Sequence, residues 1–128
     1  MSESSRDAKW PLAFSVRSEP AGNAGDANVV ICEGELDMTT GPQLRDELAA
    51  VPDADLIIDL SAVGFIDSTG ISILLNSLRR LDRTSRRLVV VCPPGPPRRV
   101  FELTGLEETL KIVDSAEDAR ARLLSSST

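Results

Sequence analysis

The sequence predicts a small α/β domain: a largely parallel sheet, one antiparallel strand at its N-terminal end, and four stacked helices. Three observations carry this. Short β-branched runs of strand length recur along the chain, segments with helical spacing of apolar residues alternate with them, and Gly, Pro, Asn or Asp punctuates the joints. The order reads β-β-α-β-α-β-α-β-α. Strands that alternate with helices pair in parallel through right-handed crossovers.

Each element has its own signal. Residues 1–9 are polar and read as a loose N-terminus; the domain is expected over 10–124, with 125–128 as a tail. "WPLAFSV" (10–16) predicts a first strand, and "SEPAGNAGDA" (18–27) a turn or loop. "NVVICEGEL" (28–36) is β-branched and predicts the second strand. The gap between the two is short enough for an antiparallel hairpin. "TTGPQLRDELAAV" (39–51) predicts a helix: Thr40 and Gln43 have capping-box spacing, Pro42 falls in the first turn, and Leu44, Leu48 and Val51 share one face. "LIIDL" (56–60) is apolar almost throughout, as a strand buried on both faces would be.

A second helix is expected from the junction "FIDSTGI" (65–71) to about Arg83, with Ile71, Leu74, Leu75, Leu78 and Leu81 as its inner stripe. "RLVVVC" (87–92) predicts a buried strand and "PPGPP" (93–97) a rigid loop. "RRVFELTG" (98–105) predicts a short helix ended by Gly105, "LKIVD" (110–114) a last strand, and "AEDARARLL" (116–124) a final helix capped by Ser115.

Composition excludes several classes of function. A net charge of −6 argues against nucleic acid, which calls for a basic face. The absence of histidine removes the commonest general base and the commonest metal ligand. Cys32 and Cys92 have no CxxC neighbour, so they read as reduced, buried core residues rather than zinc ligands. No stretch approaches the ~20 apolar residues of a membrane span, and the N-terminus has no signal-peptide core, so no membrane partner is expected and a cytoplasmic location is. There is no phosphate-cradling glycine loop, and the two lysines, Lys9 and Lys111, are not natural neighbours of a serine nucleophile. The sequence therefore predicts no catalytic residue, no cofactor and no metal. Glu107 and Glu108 read as a solvated loop. Arg79, Arg80, Arg83, Arg86 and Arg87 read as a solvated helix face and its exit, with a partner-facing basic patch as the alternative.

The junction Asp67-Ser68-Thr69-Gly70 has two readings. In one, Ser68 or Thr69 caps the helix, Asp67 favours its positive end and Gly70 relieves crowding. In the other, a hydroxyl is presented for modification. A phosphate there would add about 1–2 negative charges beside a favourable helix dipole.

Three segments together resemble the STAS family, and within it the bacterial anti-sigma factor antagonists: "GELDMTTGPQLRDEL", "LIIDLSAVGFIDSTGISILL" and "VFELTGLEETLKIVDSAEDA". The resemblance spans roughly residues 12 to 124. It implies a small sheet with stacked helices and places the phosphate acceptor at Ser68, with Thr69 as a lesser competitor. It also implies that the partners are an anti-sigma factor serine kinase, bound when Ser68 is unmodified, and a serine phosphatase that resets the cycle. Glu35, Asp37, Asp67, Thr69 and Gly70 are expected to form the docking surface. A non-switching scaffold or transporter-accessory subunit is the alternative that the same resemblance allows. A small α/β enzyme or nucleotide binder is disfavoured by the missing histidine and glycine loop.

Overall fold

The computed structural model describes residues 14–22 and 27–125. Among these, β1 (Ser15–Pro20) and β2 (Asn28–Leu36) form an antiparallel pair. To β2 are added, all in parallel, β3 (Leu56–Ile66), β4 (Leu88–Val91) and β5 (Ile112–Val113), in the spatial order β1-β2-β3-β4-β5. The helices are α1 (Gly41–Ala50), α2 (Ser68–Arg83), α3 (Pro96–Thr104) and α4 (Ala116–Ser125). The element order is the one read from the sequence.

Alternate residues of each inner strand serve opposite faces, as the pleat requires. Val30, Cys32, Ile58 and Val90 face α1, α2 and α3 and pack with Leu44, Leu48, Leu74 and Phe101. Val29, Ile57, Val89 and Val91 face α4 and pack with Ala119 and Leu123. The expected two-sided burial of Leu56–Leu60 follows from this split, with only Asp59 left partly exposed.

Several boundaries differ from expectation, each for a physical reason. The first strand runs to Pro20, into the stretch read as a loop, because Ser18 and Glu19 pair with Val30 and Val29. Pro20 is tolerated there because β1 is an edge strand. Residues 10–13 of the expected strand, residues 1–9, residues 23–26 of the expected turn and residues 126–128 lie outside the described residues. β3 continues six residues past Leu60, since Glu33–Leu36 offers a pairing partner as far as Ile66. Two register shifts absorb its extra length, and Gly34, at φ 107°, sits at one of them. The last strand is only Ile112–Val113: Lys111 takes φ 53°, and Leu110 N–H donates to Leu106 O, so both residues belong to the preceding turn. Of the proline run expected to form a loop, Pro93, Pro94 and Gly95 precede α3, but Pro96 and Pro97 belong to it. Pro96 and Pro97 occupy the first turn, where a missing N–H is harmless, and Gly105 ends the helix at φ 72°.

The buried stripe of α2 is rotated from the predicted one. Gly70, Ile73, Leu74, Ser77 and Leu81 are buried, while Ile71, Leu75 and Leu78 are only partly so. Ser77 is 5% exposed, and its hydroxyl makes no hydrogen bond to any described residue.

Two arginines read as solvated, or left unassigned, are structural. Arg87 N–H and guanidinium bind Asp55 at 2.8–3.2 Å, and the guanidinium also donates to Leu123 O. Arg98 donates to Cys92 O at 2.7 Å, Asp114 at 2.7 Å and Glu107 at 2.8 Å, tying α3 to the end of β4 and the turns around β5. Glu107 is thus a partner of Arg98 rather than a free loop carboxylate. These two carboxylates raise the Arg98 pKa further above its ordinary value. Both cysteines are free and buried. Burial pushes the Cys32 thiol up to about 12, with the Asp59 charge adding to it. It pushes Cys92 up to about 11 against the opposing charge of Arg98.

Candidate partner-binding site

The parallel register of β2 and β3 sets Leu36 beside Ile66, so the next residues of the two chains, Asp37 and Asp67, leave the same end of the sheet. One bond joins the two exits directly: Asp67 N–H donates to Leu36 O at 3.2 Å.

Each aspartate spends one oxygen on its own loop. Asp37 Oδ1 accepts from Thr39 N–H at 2.9 Å and Thr40 N–H at 3.1 Å. Thr40 does not cap α1 through its side chain. Its hydroxyl donates to Glu35 O at 2.7 Å and accepts from Asp37 N–H, so the predicted capping box is replaced by a brace within the loop. The Asx turn competes for the same donors and wins because Asp37 is already held at the strand exit. Asp67 is the true N-cap of α2: its Oδ1 accepts from Thr69 N–H at 2.9 Å and Gly70 N–H at 3.3 Å. The expectation that Ser68 or Thr69 caps the helix is therefore corrected, since the cap lies one residue earlier.

This leaves Ser68 at the first helical position, exposed and without a capping duty. Thr69 is half-buried, and its methyl lies against the start of α1: a Cβ added at Gly41 would stand 3.1 Å from Thr69 Cγ2 and 3.0 Å from Ile73 Cδ1. Gly70 is the tightest joint. A Cβ there would meet Ile66 Cγ1 at 2.7 Å and Leu36 Cγ at 2.9 Å. Glycine thus lets the first turn of α2 sit directly on the ends of β2 and β3, with Ser68 turned outward. Glu35 is exposed on β2, opposite Phe65 of β3.

Two residues around the site escaped the sequence reading. Met38, next to Asp37, is 75% exposed, and Phe65, two residues before Asp67, is 47% exposed. Large apolar side chains left in solvent beside polar anchors are what a docking surface presents. For Phe65 the signal was available: with Ile66 buried, strand parity turns its neighbour outward.

A family model for the STAS domain matches residues 22–119. The chain belongs to the STAS domain family. Its relatives within that family include the "Anti-sigma-B factor antagonist" of Staphylococcus aureus, 29% identical over 87 residues, covering 66% of this chain and 81% of the relative. Among solved structures, an anti-sigma factor antagonist from Mycobacterium paratuberculosis superposes with a TM-score of 0.79 at 33% identity, covering 90% of this chain and 97% of that one. The Bacillus cell fate determinant SpoIIAA, solved in its phosphorylated form, superposes with a TM-score of 0.62 at 25% identity, covering 87% and 99%. Among the described residues of this STAS domain, no group of three or more acidic or cysteine side chains converges as a metal site would. No described helix is long and apolar enough to cross a membrane.

Proposed function

We propose that this STAS domain is an anti-sigma factor antagonist that binds an anti-sigma factor serine kinase while Ser68 is unmodified and lets go when Ser68 is phosphorylated. A serine phosphatase restores the binding form. The observation that carries the reading is the division of labour at the head of α2: Asp67 caps the helix, so the Ser68 hydroxyl is exposed and dispensable to the fold. Phosphorylation there adds about 1–2 negative charges without breaking an existing bond, and the helix dipole tolerates them. The solved SpoIIAA in its phosphorylated form, a structural neighbour at 25% identity, supports the same reading.

The size of the effect suits a switch. Moving a complex from nanomolar to micromolar affinity takes about 4 kcal/mol. A charge mispaired in a desolvated interface costs about 2–5 kcal/mol. Asp37, Asp67 and Glu35 supply anionic anchors, Met38 and Phe65 supply apolar contact, and Thr69 and Gly70 set the position of Ser68 between them.

Incubation with the cognate kinase and ATP should add one phosphate, mapped to Ser68 by mass spectrometry, and Ser68→Ala should take none. Ser68→Ala should capture the partner whether or not ATP is present, and Ser68→Asp should capture little. Phosphate on Thr69 in place of Ser68 would move the switch by one residue. Indifference of capture to all these forms would leave the non-switching scaffold or transporter-accessory reading in its place.

A further inference from the structure

A groove of about 200 Å³ runs between α1 and α2, lined by Arg45, Leu48, Ala49, Ile73, Asn76, Ser77 and Arg80. At its floor is Ser77, 95% buried by its 5% exposure, with a hydroxyl that no described residue satisfies. At its rim are two guanidiniums with no carboxylate partner among the described residues; Arg80 reaches only Leu48 O, at 3.5 Å. Buried hydroxyls are normally paired. Water can satisfy it in the open groove, which also has room for a larger polar group beside it. Leu48, Ala49 and Ile73 make the walls apolar. Two cationic forks, one hydroxyl donor and methylene-lined walls together describe the seat of a glutamate side chain.

We propose that this groove receives a carboxylate from an acidic segment of the partner protein, a second anchor that rests on the partner reading above. Ser77 Oγ–H would donate to one carboxylate oxygen, and Arg45 and Arg80 would hold the charge. Charge complementarity favours a protein segment: on a chain of net charge −6, Arg79 and Arg83 continue the basic row along the exposed side of α2. Continuity favours the same partner. Ile73 lines the groove and also meets Gly41 at the head of α1, so the groove and the Ser68 surface share one helix pair.

The test titrates the synthetic peptide hexaglutamate into the isotope-labelled full chain, followed by amide chemical shifts. Saturable shifts should centre on Arg45, Ser77 and Arg80, with Kd in the millimolar range, and weaken with salt. R80E should weaken binding by about tenfold or more and S77A by about fivefold, whereas R17E, on β1, should change nothing. With the purified partner, R45E/R80E on the S68A background should lose about tenfold or more in affinity. No saturation by about 10 mM peptide, equal shifts at every exposed arginine, or equal binding by inorganic phosphate at the same residues would each overturn the proposal. The peptide arm needs neither Ser68 nor an anti-sigma factor. Its failure is therefore distinct from failure of the switch, which S68A and S68D decide separately.

Discussion

Gly70 is required by the strands beneath it rather than by backbone conformation. In an exposed helix position, alanine would gain about 1 kcal/mol over glycine. Here the added Cβ would overlap Ile66 and Leu36 carbons at 2.7–3.0 Å, a crowding of the kind that costs about 1–3 kcal/mol. The crowding wins, because the atoms it meets belong to buried side chains with little room to give. Gly70→Ala should therefore lower stability by on the order of 1–2 kcal/mol, read as a fall of the urea midpoint, and should weaken partner capture as α2 lifts off the strands. A gain in stability would show that the head of α2 has slack. At this scale the sequence was partly legible. It marked Ser68 as the residue to watch, but assigned the cap to a hydroxyl when Asp67, already pinned through its N–H to Leu36 O, was better placed. Met38 was missed because an exposed apolar residue in a loop cannot be told from a buried one until its face is known, whereas the exposure of Phe65 follows from strand parity with Ile66.

Among the elements, α3 and the turns around β5 hang on one side chain. Arg98, 16% exposed, is bonded to a carbonyl and two carboxylates. Charge-assisted bonds of this kind contribute about 1.5–3 kcal/mol, and removal of the cation also strands its partners. Arg98→Ala should cost about 2 kcal/mol, roughly 8 °C in melting temperature, and Arg98→Lys should recover little of it because a lysine has no planar fork. An unchanged melting temperature would make the hub ornamental. Strand and helix identities were legible from periodicity and punctuation. Lengths were not: β3 outran its apolar core because β2 lay beside it, and β1 ran through a turn-like composition for the same reason. Pairing partners are tertiary facts, and local composition yields to them. The rotation of the α2 stripe toward Ile73 and Ser77 has the same origin, since α1 and not the sheet alone receives that face.

For the molecule as a whole, the core on the three-helix face of the sheet buries both cysteines as neutral thiols, and this sets an alkaline limit. The folded state holds the Cys32 proton up to about pH 12, because burial disfavours the thiolate, whereas the unfolded chain releases it near the ordinary thiol value of 9.0. Folding then binds a proton that unfolding frees, so the contribution is complete below about pH 9 and is lost as pH rises toward the folded value. Cys32→Ala should flatten the fall in urea midpoint between about pH 9 and 11 relative to the wild type; parallel curves would place the limit elsewhere. The architecture itself was the most legible feature, because one alternation of strands and helices admits few topologies. Its distribution of helices, three on one face and one on the other, was not legible, since inner strands apolar on both sides do not say which helix takes which side. The claim on which the account turns is that esterification of a single exposed hydroxyl, Ser68, decides whether two proteins remain together. Calorimetric titration of one purified anti-sigma factor with the unmodified and the kinase-phosphorylated chain measures this directly. The account predicts affinity lower by about a thousandfold after phosphorylation; affinities equal within about twofold would contradict it.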